Sequence, residues 1–128
     1  MENKKNMMIE VLENDAGKVA IVRSSEVVIA TAQDALNLIA DVHYSFDCKG
    51  IAIEKHCVAE EFFDLRTGLA GDITQKHSNY RMKLAIWGDF SVYDSKSLRD
   101  FIYECNNGST VFFAGDEEEA LEMLFNKM

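Results

Sequence analysis

The run Lys83-Leu84-Ala85-Ile86-Trp87 constrains this chain more than any other feature, because it is apolar without alternation. Five residues are short for a buried helix, and a strand that is apolar on both sides needs cover on both of its faces. The middle of an α/β sheet with helices packed on it meets that need. Ile51-Ala52-Ile53 and Thr110-Val111-Phe112-Phe113 read as two further strands, and helical patterns separate all three.

Upstream, Met7 to Leu12 and Lys18 to Arg23 read as strands joined by the turn Glu13-Asn14-Asp15-Ala16-Gly17, a hairpin signature. Ser24 to Ala30 has no clear period. Thr31 has the chemistry of a helix cap, with Asp34 in the reciprocal position. Ala35, Leu36, Ile39, Ala40 and His43 then mark an inward stripe, and the helix should end near Asp47. The segment from Val58 to Asn79 divides into a short helical turn at Ala59 to Phe63 and a longer helix from about Arg66 to His77. Leu69, Ile73 and Lys76 would share its inner face. Asp94 or Ser95 caps the next helix, in which Leu98, Phe101, Ile102 and Cys105 fall at i, i+3, i+4 and i+7. Asn106-Asn107-Gly108 closes it with residues that tolerate a left-handed conformation. Asp116 caps a last helix with the stripe Ala120, Leu121, Leu124 and Phe125, and Glu117-Glu118-Glu119 complement its dipole. The chain has no proline, so Gly, Asn, Asp and Ser must set the ends of its elements.

The resulting order, β-β-α-β-α-β-α-β-α, predicts an α/β fold. A mixed five-stranded sheet would have a parallel portion, right-handed connections and helices packed on it. The 128 residues, 48% of them hydrophobic, suit a single domain over 1–128 with one continuous core.

Thirteen basic against 22 acidic residues give a net charge of -9, which opposes general binding to nucleic acid or anionic lipid. No apolar run approaches the roughly 20 residues needed to span a bilayer, and the polar start has no signal-peptide core. A cytoplasmic location follows as the expectation, with the three scattered cysteines reduced. Cys57 should be buried and His56 exposed. Neighbours on an extended chain point to opposite sides, so these two should not pair. Cys105 should lie in the core and Cys48 should be an exposed thiol.

No dinucleotide fingerprint, phosphate-binding Walker loop, HExxH, GxSxG or EF-hand loop occurs, and no cofactor is implied. In parallel sheets ligands sit beyond the C-terminal ends of the strands. Those ends carry Glu54-Lys55-His56, Gly88-Asp89-Phe90-Ser91 and Gly115-Asp116. Glu54, Asp89 and Asp116 could together hold a cation, with His56 moving protons. Equally, Asp89 stops a strand, Asp116 caps a helix and Glu54 is solvated. Gly68 and Gly71 cost about 1 kcal/mol each in a helical segment relative to alanine. Close packing on the sheet would explain them. So would an open helix N-terminus, at which Thr67 presents its hydroxyl for contact or phosphorylation. Phe90, Val92 and Tyr93 form an apolar loop beside Asp89 and Asp94, suited to a protein interface or to folding inward over the sheet edge.

Three readings follow. The first is a non-catalytic regulatory or protein-docking module that uses Arg66, Thr67, Asp89, Phe90, Tyr93 and Asp94. The alternative is a small enzyme or ligand-binding domain that uses Glu54, His56, Asp89 and Asp116. The third is self-association through an edge strand or the aromatic loop.

The segments from Glu61 to Gly71, Asn79 to Ser91 and Ser95 to Asn106 resemble a bacterial family named domain of unknown function 4180, and the likeness covers nearly the whole chain. That family name supplies no activity. The element order is also similar to the STAS domain of anti-sigma factor antagonists, in which an Asp-Ser-Ser-Gly-Leu type turn opens a helix. Here the stretch is Asp64-Leu65-Arg66-Thr67-Gly68-Leu69, one residue longer; Thr67 matches the second serine, and the phosphorylated place has no serine. This second resemblance implies a small regulatory domain that docks to another protein.

Overall fold

The computed structural model describes residues 7–128. β1 (Met8–Asn14) and β2 (Gly17–Arg23) form the expected antiparallel hairpin, with Met8 opposite Arg23 and Asn14 opposite Gly17. The Asn14 side chain accepts the Ala16 N–H at 2.7 Å, which explains why this short turn favours asparagine. β3 (Gly50–Glu54), β4 (Lys83–Trp87) and β5 (Val111–Ala114) follow, and β2 to β5 are mutually parallel in a sheet ordered β1-β2-β3-β4-β5.

Each parallel step advances to the next strand in the same direction. Right-handed crossovers must then deposit every connecting helix on one face. The packing agrees. α1 (Ala32–Phe46), α2 (Leu69–Asn79) and α3 (Lys96–Asn106) bring Leu38, Ile73 and Leu98 into one core with Val22, Ile53, Ile86 and Phe113. α4 (Glu117–Asn126) follows the last strand and alone covers the opposite face, where Ala120 and Leu124 meet Ile21, Ala52, Ala85 and Phe112. β4 therefore sends Leu84 and Ile86 to the three-helix side and Ala85 to the other. This is the two-sided burial that its unalternating sequence demanded.

β5 lies at a sheet edge, yet its Phe113 is not left open there. The Asn106 side chain accepts the Phe113 N–H at 2.7 Å and donates to its carbonyl at 3.1 Å, taking the place of a neighbouring strand. The segment between β2 and α1 is pinned rather than periodic. Val28 and Ile29 both donate to the Cys57 carbonyl, and Ala59 donates to the Ile29 carbonyl.

Three helical expectations are corrected. The buried stripe of α1 is Ala35, Leu38, Ile39 and Val42; Leu36 is half-buried, while Ala40 and His43 are exposed. Apolar residues occupy a wide arc of this helix, so periodicity could not select which part of the arc meets the sheet. α2 begins at Leu69, because Gly68 takes φ 81° and separates the helix from a 3-10 turn at Leu65–Thr67. Its buried residues are Ala70, Ile73 and His77, with Lys76 only half-buried. A Cβ at Gly71 would meet nothing within 4 Å, so close packing does not account for that glycine. α3 ends on Asn107 at φ -90°, without a left-handed residue, because two backbone N–H groups and the Asn107 amide already reach its last carbonyls. Among the described residues, no helix is long and apolar enough to cross a membrane.

Candidate functional site

Because β3, β4 and β5 are parallel, their exit loops reach one rim, as the sequence predicted. Each candidate acid there has its own local task. Glu54 lies 3.2 Å from Nδ1 of His56. Asp89 accepts the Ser91 hydroxyl at 2.6 Å and its N–H at 3.0 Å, and these bonds hold its carboxyl below the usual range. Asp116 accepts the Glu119 N–H at 2.9 Å and caps α4, while Glu119 reaches back to the Gly115 N–H. No group of three His, Cys, Asp or Glu side chains among the described residues could hold a metal ion. Glu54, Asp89 and Asp116 share a rim without forming a cation site.

The docking candidates on that rim are also engaged. Phe90 and Tyr93 fold inward. Phe90 meets Phe113 edge-on at 5.3 Å, and Tyr93 stacks on Phe63 at 5.2 Å. The Tyr93 hydroxyl donates to Glu60 at 2.7 Å; burial, with Glu60 beside it, pushes its pKa up. The Lys55 ammonium lies 5.0 Å from the Tyr93 ring centroid, which adds a cation–π contact. Arg66 forks onto Asp64 with two bonds of 3.0 Å, and the guanidinium holds the Asp64 carboxyl below the usual range. The Thr67 hydroxyl faces the Glu61 and Asp64 carbonyls at 2.8 and 2.9 Å and accepts the Leu69 N–H at 3.2 Å. It knots the loop entering α2. Asp94 is exposed beside the Ser95 cap, which accepts the Leu98 N–H.

The cysteines depart from expectation in two places. Lys55–Cys57 is a 3-10 turn, not extended chain, so His56 and Cys57 come to the same side. His56 Nε2 and Cys57 Sγ lie 3.5 Å apart, and both approach the Ser24 carbonyl. Burial pushes the Cys57 thiol up, opposite to what a nucleophilic thiolate needs. Cys48 is buried rather than exposed. Cys105 packs half-buried against the core, and burial raises it to about 11.

Sequence reading missed a groove on the three-helix side. The rotation of α1 leaves Leu36 and Ala40 outside the core. Together with Ile39 and with Tyr80 and Met82 of the α2–β4 turn, they line a groove of about 380 Å³. Gln33, Asn37, His43 and Tyr44 complete its wall. Tyr44 and Tyr80 are 83% and 62% exposed, an unusual amount of aromatic surface on either side of one concavity. The signal available in the sequence was the surplus apolar width of α1, together with two tyrosines outside every buried stripe.

No curated protein and no solved structure matches this chain significantly. The likeness to STAS domains therefore rests on element order alone. Here the Asp64–Leu69 stretch follows β3 only after two intervening 3-10 turns. The family described as Domain of unknown function (DUF4180) matches residues 14–124, most of the chain, including β2 to β5, the first three helices and most of the last one. The chain belongs to the DUF4180 family.

Proposed function

We propose that this domain is a non-catalytic, cytoplasmic regulatory module that works by docking to another protein through the groove between α1 and the α2–β4 turn. The observation that carries this reading is the pair of exposed tyrosines flanking a concave, largely apolar floor. Aromatic side chains at the mouth of an apolar pocket suit the anchor positions of protein interfaces. A partner would present apolar side chains to Leu36, Ala40 and Met82. The net charge of -9 favours basic flanks on that segment.

The groove is preferred over the rim formed by Arg66, Thr67, Asp89, Phe90, Tyr93 and Asp94, where most polar and aromatic groups already serve the loops themselves. The same engagement weakens an enzyme built on Glu54, His56, Asp89 and Asp116. Three unpaired cysteines, two of them buried, suit a reducing compartment.

Affinity capture with wild type, Ala40→Arg and Thr67→Glu tests the reading. A partner captured by wild type and by Thr67→Glu, but lost with Ala40→Arg, supports the groove. Loss only with Thr67→Glu would move docking to the rim. A partner list unchanged by Ala40→Arg would overturn the groove.

A further inference from the structure

At the rim opposite the strand C-termini, α2 ends in a Schellman arrangement. Met82 donates to the His77 carbonyl at 3.0 Å and Arg81 donates to the Ser78 carbonyl at 3.2 Å. The position between helix and strand needs a left-handed residue, for which glycine is strongly favoured. Arg81 occupies it at φ 55°. A side chain held in that conformation is strained relative to glycine, and such residues gather where their side chains are used.

Arg81 lines a pocket of about 290 Å³ whose other walls are Ser78, Lys83, Ser109 and Thr110. The lining consists of one guanidinium, one ammonium and three hydroxyls. It includes no carboxylate, in a chain with 22 acidic residues. The Lys83 ammonium is anchored at 2.6 Å on the Ser109 carbonyl, which leaves two of its three hydrogens to donate elsewhere. Among the described residues, no side-chain hydrogen bond or ion pair engages the Arg81 guanidinium.

A capping role for these cations would be the ordinary explanation, since two helices end here. Three of the four carbonyls in the last turn of each helix, however, have backbone partners already. Lys76, His77 and Ser78 are served by backbone N–H groups, as are Tyr103, Glu104 and Cys105. The Arg81 guanidinium and the remaining Lys83 hydrogens are surplus to the fold.

We infer that this pocket binds a small oxyanion, with a phosphate or phosphate monoester as the best fit. A guanidinium fork takes two phosphate oxygens in one plane, the ammonium supplies a second charge, and the hydroxyls adjust to the remaining oxygens. The pocket adjoins the proposed docking groove along the α2–β4 turn but shares no lining residue with it, and Ala40→Arg alters a residue of the groove alone, so either inference can fail without the other.

The test uses the full chain, titrated with inorganic phosphate and separately with glycerol 3-phosphate at constant ionic strength set by chloride. Amide NMR shifts are followed together with calorimetry. Saturable shifts confined to residues 78–83 and 109–110 are expected. Arg81→Gly should keep or raise the melting temperature, because glycine suits φ 55°, yet weaken binding at least tenfold. Lys83→Gln should weaken it several-fold. Tighter binding of the monoester identifies a phosphorylated small molecule as the ligand class, and equal binding identifies free phosphate. The inference is overturned if neither anion saturates beyond the chloride control. It also falls if Arg81→Gly, with its melting temperature retained, binds as tightly as wild type.

Discussion

The two rims of the sheet present opposite chemistry. At the C-terminal rim, where α2 and α4 begin, carboxylates, hydroxyls and aromatic rings satisfy one another: Asp64 with Arg66, Asp89 with Ser91, Tyr93 with Glu60, and Asp116 with the start of α4. At the N-terminal rim, where α2 and α3 end, backbone N–H groups complete the helix ends and leave Arg81 and part of the Lys83 donor capacity unspent. Helix dipoles favour acids at helix starts and bases at helix ends, so a parallel α/β chain sorts its charges between rims without reference to function. Candidate chemistry is therefore better sought where polar groups exceed what the dipoles and caps require. Here that is not the rim at which α/β ligands usually bind.

The largest test of this contrast is Phe113→Ala. Phe113 contacts the rings of Phe62, Phe90 and Phe101, so its loss should cost about 3–5 kcal/mol and loosen the whole C-terminal rim. Chemical denaturation measures this. A cost below about 1 kcal/mol would mean that aromatic packing does not close that rim.

The second test concerns His77, at the far end of α2. It is fully buried, its Nδ1 lies 2.8 Å from the Met82 carbonyl, and its Nε2 has no hydrogen-bond partner. Burial lowers its pKa from 6.5 to about 4. The folded state therefore holds the ring neutral where the unfolded chain would protonate it. Stability should be complete above about pH 6.5 and fall progressively toward pH 4, by about 3 kcal/mol from this group. Urea melts across that window, with His77→Leu as the control, measure the slope. A slope equally steep in the variant would exclude His77 as its source.

The smallest effect separates a cap from a cation ligand at Asp116. Asp116→Ala should cost about 1 kcal/mol, while Asp116→Asn should be nearly neutral, because asparagine caps equally well. Thermal melts in the presence and absence of a divalent cation would show a metal-dependent difference only if the carboxylate charge itself were needed.

Local signals were legible wherever a single residue type answered a single backbone need. Thr31, Ser95 and Asp116 cap the helices they were expected to cap, whereas Gly68, read as lying inside a helix from about Arg66, takes a positive φ and delays that helix to Leu69. β4 disclosed its two-sided burial because, after Lys83, residues 84–87 offer no charged side chain to water on either face. The candidate site was less legible. The rim was foreseen, but the inward turn of Phe90 and Tyr93 depends on Phe63 and Phe113, residues far away in the chain. Cys57 and His56 were placed apart on the premise of extended chain, and the 3-10 turn that unites them is held by contacts with Ser24.

The sequence alone determined the order of elements, their caps and the parallel portion of the sheet, because hydrophobic period and capping are local properties. Tertiary structure decided which arc of α1 meets the sheet, and so left Leu36 and Ala40 to a groove. It also brought Arg81 and Lys83 beside Ser109 and Thr110. Such placements depend on which distant surfaces bury the most apolar area together, and no window of adjacent residues carries that sum.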